Sequence, residues 1–184
     1  EDKLEWALSL PYDGFNVTSP YKEKICKFLN SFSGDVLPVN TILNQDGELR
    51  GYNTDSWGFI RAIKMARADV GRVGIIGNGG AAKAIQSALN KISRTPRMIN
   101  SRIAFNEQTR PDGDYILKDL TGIINCTPYQ DFNLDGLPES AWVMDLGYKD
   151  DTFIKNARAR GNFAFNGMGM LIAQAEESQR IWNS

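Results

Sequence analysis

Apolar residues change their spacing along this chain, and each change marks the edge of an element. Leu4, Ala7, Leu8 and Leu10 predict a short helix before Gly14, and Phe15, Val17 and Thr18 predict a brief strand that Pro20 interrupts. Val39 to Leu43 and Leu49 to Tyr52 read as two strands around Asn44-Gln45-Asp46-Gly47, where Asp-Gly signals a tight hairpin. Such a hairpin presents Asn40 and Asp55 at its two outer ends. From Ser56 the period lengthens, and Phe59, Ile60, Ile63 and Ala66 predict a helix capped by Thr54 or Asp55.

A polar link from Arg67 to Arg72 then gives way to Val73-Gly74-Ile75-Ile76, a buried parallel strand. The helix after it has Ala81, Ala84, Ile85, Ala88 and Leu89 on its inner face. Gly122 to Cys126 and Trp142 to Leu146 read as strands, Thr152 to Arg160 as a helix, and Phe163-Ala164-Phe165 as a last short strand. In the final helix Leu171, Ala175, Ser178 and Trp182 share a face. Strands that alternate with helices predict an α/β fold, a Rossmann-like doubly wound parallel sheet, joined here to a smaller α/β domain over residues 1–66.

Composition narrows the chemistry. With 184 residues the chain fits one ordinary domain or two small ones, and 42% hydrophobic residues suffice for a core. Twenty-one basic against 22 acidic side chains leave a net charge of -1, so no overall field draws it to nucleic acid or an anionic membrane. A small-molecule partner is expected instead. There is no histidine, so a proton handled near neutral pH must travel through lysine, carboxylate, tyrosine or cysteine. Cys26 and Cys126, far apart and without histidine, form no metal-binding pattern and read as free thiols of a cytoplasmic protein. No metal is expected.

The densest local signal is Gly77-Asn78-Gly79-Gly80-Ala81-Ala82, which follows a strand and opens a helix. In Gly77-x-Gly79-x-x-Ala82, Gly77 permits the tight turn, Gly79 lets the backbone approach a pyrophosphate, and Ala82 packs helix on strand. The helix's free N–H groups then suit the phosphates. NAD binders usually place an acid at the end of the second strand, where this chain is read to carry Ser93-Arg94-Thr95 with Arg97 close behind. A guanidinium there suits the 2′-phosphate of NADP, although these residues alone fit a solvated surface arginine equally well.

Two further segments, Gly14-Phe15-Asn16-Val17-Thr18-Ser19-Pro20-Tyr21-Lys22 and Gly51-Tyr52-Asn53-Thr54-Asp55, carry a resemblance. Val39-Asn40-Thr41, the glycine turn, Ser93-Arg94-Thr95, Asn125-Cys126-Thr127-Pro128, Asp145-Leu146-Gly147-Tyr148 and Gly167-Met168-Gly169-Met170-Leu171 leading to Gln174 follow in the same order. Together they resemble the shikimate dehydrogenase family. The resemblance implies an NADP-dependent oxidoreductase that reversibly reduces 3-dehydroshikimate to shikimate in aromatic amino-acid biosynthesis. It implies Lys22 and Asp55 as catalytic residues, and Thr18, Asn40, Asp55, Tyr148 and Gln174 as substrate ligands. Gly77, Asn78, Gly79, Gly80, Ala81, Ser93, Arg94 and Thr95 are implied to hold the cofactor, with Cys126, Thr127, Leu146 and Gly167 beside the nicotinamide. It also implies that the C-terminal helix, 168–184, completes the 1–66 substrate domain, leaving 67–167 to bind NADP.

Ketone reduction needs a hydride at carbon and a proton at oxygen, and a buried lysine directed by a carboxylate suits the second task. Taken singly, Lys22 is an ordinary surface lysine and Asp55 a helix cap; the paired motifs give them a joint role. Quinate or an amino-substituted analogue, with NAD, is an alternative reaction, and a non-catalytic nucleotide-binding paralogue is an alternative of another class. The family's opening strand and helix, with a serine pair that clamps the substrate carboxylate, has no counterpart here. The intervals from Lys22 to Val39 and from Asn90 to Arg94 are short. We therefore expect segments of a longer chain, lacking that opening unit and some internal stretches.

Overall fold

The computed structural model describes residues 2–33, 38–92, 96–99, 117–149 and 151–184. Helix α1 (Asp2–Leu8) precedes strand β1 (Gly14–Asn16), a 3-10 turn at Lys24–Phe28, β2 (Ser31–Phe32), β3 (Thr41–Gln45) and β4 (Glu48–Tyr52). These strands form one sheet in the order β1-β3-β4-β2. The hairpin forms where Asp-Gly indicates it: Gln45 pairs with Glu48, and Asp46 and Gly47 take φ of 53° and 87°. Two positive φ values match the right-handed twist of the flanking strands. Val17, Ile25, Val39 and Ile42 form the small core beside this sheet.

Helix α2 (Thr54–Met65) is capped by Asn53, one residue earlier than expected, and Asn53 Oδ1 accepts from Ser56 N at 3.0 Å. Asn53 has the extended backbone a cap requires, whereas Thr54 and Asp55 are already helical. This shift has a chemical consequence: the Thr54 and Asp55 side chains are left for other partners. Asp55 lies in the first turn, where the positive end of the helix favours a carboxylate.

The second half runs β5 (Val73–Ile76), α3 (Gly80–Ile92), β6 (Arg97–Ile99), β7 (Gly122–Asn125), β8 (Trp142–Asp145), α4 (Thr152–Ala159), β9 (Ala164–Asn166) and α5 (Met168–Trp182). Its strands are all parallel, in the order β6-β5-β7-β8-β9. Alternate residues feed two cores. Ile76, Ile123 and Val143 pack with Phe153, Ile154 and Ala157 on one face, and Val73, Ile75, Ile124 and Met144 pack with Phe59, Ile63, Ile85 and Leu89 on the other. A sheet buried on both faces explains why these strands read as unbroken apolar runs.

Three details differ from expectation. On α3 the buried alanine of the first turn is Ala82, and Ala81 is only half-buried. On α5 the buried residues are Met170, Ala173, Ser178 and Ile181, while Leu171 and Ala175 are exposed. The helix is turned because it crosses α2 at Gly58, where a Cβ would stand 2.7 Å from Met170 O. Trp182 Nε1 fixes the far end of α5 by donating to Ile42 O at 2.9 Å. Finally, the second parallel strand comes later than expected, because α3 continues to Ile92 and β6 begins at Arg97 opposite Gly74. The second strand therefore starts level with the start of β5 and ends at Ile99.

Candidate active site

The parallel sheet contains a reversal of strand order. Chain connections leave β5 towards β6 on one side and arrive at β7 on the other, so the carboxyl ends of β5 and β7 border a crevice suited to a ligand. The glycine turn sits at this point. Gly77 has φ of 108°, and a Cβ there would lie 2.9 Å from Thr127 Cγ2, so the turn needs glycine for both conformation and space. Cys126 N donates to Ile76 O at 2.9 Å, and Thr127 N and Oγ1 both donate to Asn125 Oδ1, at 3.0 and 2.8 Å. The turn leads directly into the N-terminus of α3, which fits a dinucleotide's phosphates. At Gly79 a Cβ would meet nothing within 4 Å.

Facing this crevice, Lys22 lies in the turn before the 3-10 helix, and its carbonyl accepts from Val39 N at 3.2 Å. That bond ties the lysine turn to the segment carrying Asn40. Lys22 Nζ donates to Asp55 Oδ2 at 2.5 Å, with the two side chains 17% and 12% exposed. Asn40 Nδ2 donates to Asp55 Oδ1 at 2.9 Å. Each Asp55 oxygen therefore has its own donor, and the ammonium remains open to the cavity. Charge-assisted pairs this sheltered are stronger than surface ones.

A cavity of about 400 Å³ joins the two sides. From the first sheet and its helix it is lined by Thr18, Lys22, Asn40 and Asp55, and from α5 by Gln174. From the parallel-sheet side come Ala81, Leu146, Tyr148 and Gly167. Every residue expected to bind or transform the substrate reaches this one space. Asn16, Val17, Met170 and Leu171 also line it, and were missed. Asn16 and Val17 carried a signal, since they immediately precede Thr18 in the same motif; Met170 is indistinguishable by type from a core methionine.

Other expected residues are placed differently. Ser93, Arg94 and Thr95 lie outside the described residues, and in the chain they precede β6. The strand end beside the glycine turn is Ile99, whose carbonyl accepts from Gly77 N at 3.4 Å. Arg97 sits at the opposite end of that strand, level with Gly74, and its guanidinium binds Asp119 through contacts of 2.8 and 3.0 Å. Both cysteines are free. Burial, and then the Asp145 carboxylate, push the Cys126 thiol well above its ordinary pKa, which disfavours the reactive thiolate. Among the described residues no cluster of metal-ligating side chains occurs, and no helix is long and apolar enough to cross a membrane.

Comparison with known proteins agrees with this geometry. A shikimate dehydrogenase (NADP(+)) of Streptococcus pneumoniae is 32% identical over 205 residues, an alignment covering 92% of this chain and 72% of that protein. The chain belongs to the shikimate dehydrogenase family. The shikimate dehydrogenase of Aquifex aeolicus superposes with a TM-score of 0.82 at 27% identity, over 99% of this chain and 76% of the other. A quinate dehydrogenase from Corynebacterium glutamicum, solved with NAD, superposes with a TM-score of 0.81 at 25% identity, covering 98% and 76%. No family model matches the sequence. Within the family, the Rossmann-like parallel sheet and the smaller α/β unit have the arrangement seen here.

Proposed function

We propose that the protein is an NADP-dependent shikimate dehydrogenase that reversibly reduces 3-dehydroshikimate, with Lys22 and Asp55 as its proton-handling pair. The observation that carries this reading is the Lys22–Asp55 contact in a cavity that Ala81, in the first turn of α3, lines from the parallel-sheet side. Gly77, Asn78, Gly79, Gly80 and Ala81 would hold NADPH, whose chemistry there would be donation of a hydride to the carbonyl carbon. Lys22 Nζ gives a proton to the substrate oxygen as charge develops there, and takes it back in the oxidation. Asp55 directs the ammonium and accepts a hydrogen bond from the product hydroxyl. Thr18, Asn40, Tyr148 and Gln174 bind the ring's hydroxyls and carboxylate. Cys126, Thr127, Leu146 and Gly167 offer small or apolar surface to the nicotinamide.

Residues 1–66 with α5 form the substrate lobe and 67–167 the cofactor lobe, an arrangement supported by the packing of α5 on α2 and by the Trp182–Ile42 bond. The substrate is a small cyclic hydroxy acid, and the setting is cytoplasmic. The naming of NADP(+) in the pneumococcal relative supports that cofactor. The fold's likeness to a quinate dehydrogenase solved with NAD makes quinate oxidation the second reading. Initial rates with shikimate and quinate, each with NADP and NAD, test the choice. The expected result is the highest kcat/KM for shikimate with NADP; preference for quinate with NAD favours the second reading, and cofactor binding without turnover of either acid contradicts both.

A further inference from the structure

Three hydroxyls meet behind the cavity wall: Thr41 on β3, Thr54 in the first turn of α2, and Ser178 on α5. Thr41 and Ser178 are 0% exposed and Thr54 is 1% exposed. Their oxygens lie 2.9 Å apart for Thr41 and Ser178, 3.2 Å for Thr41 and Thr54, and 3.2 Å for Thr54 and Ser178. A hydroxyl has one proton to give, so partners that can only donate or only accept determine which way each bond runs.

The backbone N–H of Thr54 donates to Asn40 Oδ1 at 2.8 Å. A backbone N–H cannot accept, so this bond orients the Asn40 amide and turns Nδ2 to Asp55 Oδ1, at 2.9 Å, and to Thr54 Oγ1, at 3.0 Å. Thr54 Oγ1 accepts from Asn40 Nδ2, and its own proton has Gln174 Oε1, Thr41 Oγ1 and Ser178 Oγ within reach at 3.2 Å and Asn40 Oδ1 at 3.3 Å. At Gln174, Nε2 donates to Leu171 O at 3.1 Å, which leaves Oε1 to face Thr54 Oγ1 at 3.2 Å. Ser178 Oγ donates to the backbone carbonyl of Gln174 at 3.0 Å, anchoring the same residue from its main chain. A hydrogen-bonded path thus leads from Asn40 through Thr54 to Gln174, with steps of 3.0 and 3.2 Å against 3.5 Å for the direct approach of Asn40 Nδ2 to Gln174 Oε1.

The geometry points to Thr54 as a positioning residue that couples Asn40, and through it Asp55, to Gln174 across the junction of α2 and α5. With Oε1 held by Thr54 and one Nε2 hydrogen on Leu171 O, Gln174 has a single directed hydrogen left for a substrate oxygen in the cavity. Thr54 itself touches neither ligand. The substrate side of this inference rests on the dehydrogenase reading above; the hydrogen-bonded path through Thr54 does not.

The test uses Thr54→Val, which keeps shape and removes the hydroxyl, Thr54→Ser, which restores it, and Thr54→Ala as a smaller replacement should the valine fail to fold. Thr54→Val should raise KM for shikimate about five- to tenfold with kcat little changed, and Thr54→Ser should recover the original value. Added to Gln174→Ala, Thr54→Val should raise KM no further, because residues that act through one another are not additive. A purely structural role would add its effect in both backgrounds, and that result overturns the inference. The side-chain amide resonances of Gln174, observed by ¹⁵N NMR without ligand, should shift and broaden in Thr54→Val or Thr54→Ala but not in Thr54→Ser. Unchanged resonances overturn the inference whatever the enzyme turns over. If the resonances respond while the wild type binds no shikimate, the coupling stands and the dehydrogenase reading falls.

Discussion

Replacing Lys22 with methionine should lower kcat for shikimate oxidation by about 10²- to 10⁴-fold, the range typical of a lost general acid–base group. Methionine preserves length and apolar bulk, so the cavity keeps its shape while losing its ammonium. Lys22 bonds Asp55, Val39 and Cys26 rather than the glycine turn, so NADP affinity, followed by fluorescence titration, should stay close to the original. The unpaired Asp55 still accepts from Asn40 Nδ2 at 2.9 Å, which limits the cost to folding. A change confined to thermal stability, with turnover intact, would make the Lys22–Asp55 contact an ordinary ion pair. The pair's shelter from water and its place in the cavity lining argue against that outcome.

The second large effect is expected at Gly58, which carries no functional group of its own. A Cβ there would stand 2.7 Å from Met170 O and 2.9 Å from both Gln174 N and Gln174 Cβ. Two of these neighbours are backbone atoms, so α5 must move as a body rather than yield by a side-chain rotation. Gly58→Ala gains about 1 kcal/mol in helix propensity and costs about 1–3 kcal/mol in overpacking, so the melting temperature should fall only modestly. Activity should fall much further. Displacing Gln174 by a fraction of an ångström to about 1 Å can cost up to about 10²-fold, and kcat/KM for shikimate should drop towards that value with the far-ultraviolet spectrum unchanged. Wild-type kcat/KM in Gly58→Ala would show that the helix crossing does not position Gln174.

Much of the scaffold is legible because its signals are local. Asp46-Gly47 announces the hairpin by the φ values it permits, and Gly77-x-Gly79-x-x-Ala82 announces a strand, turn and helix in sequence. Errors arise where a tertiary partner decides. Asn53 takes the cap because the chain leaves β4 extended through that residue, which releases Thr54 and Asp55 for the site. The inner face of α5 is set by close approach to Gly58, and period alone misplaced it by about one residue. Ser93-Arg94-Thr95, read as the end of the second parallel strand, precedes it in the chain, because Arg97 pairs with Gly74 and the strand ends at Ile99.

The candidate site divides in the same way. Lys22, Asp55, Asn40 and Gln174 were legible through motifs, and the cavity gathers all four. The hydroxyl network behind them was not, because Asn16 Nδ2 meets Ser178 Oγ at 3.1 Å across 162 positions of chain. No local spacing encodes such a contact. Serine and threonine, moreover, are read first as caps or solvated residues when only their sequence neighbours are known.

The most direct measurement is a crystal structure of the protein with shikimate and NADP together. The reacting hydroxyl should lie about 2.6–3.2 Å from Lys22 Nζ and within hydrogen-bond reach of Asp55, with the nicotinamide carbon that accepts hydride about 3–3.5 Å from the carbinol carbon. Shikimate bound with that hydroxyl turned away from Lys22, or a dinucleotide seated elsewhere than the Gly77 turn, would contradict the assignment of this cleft as the dehydrogenase site.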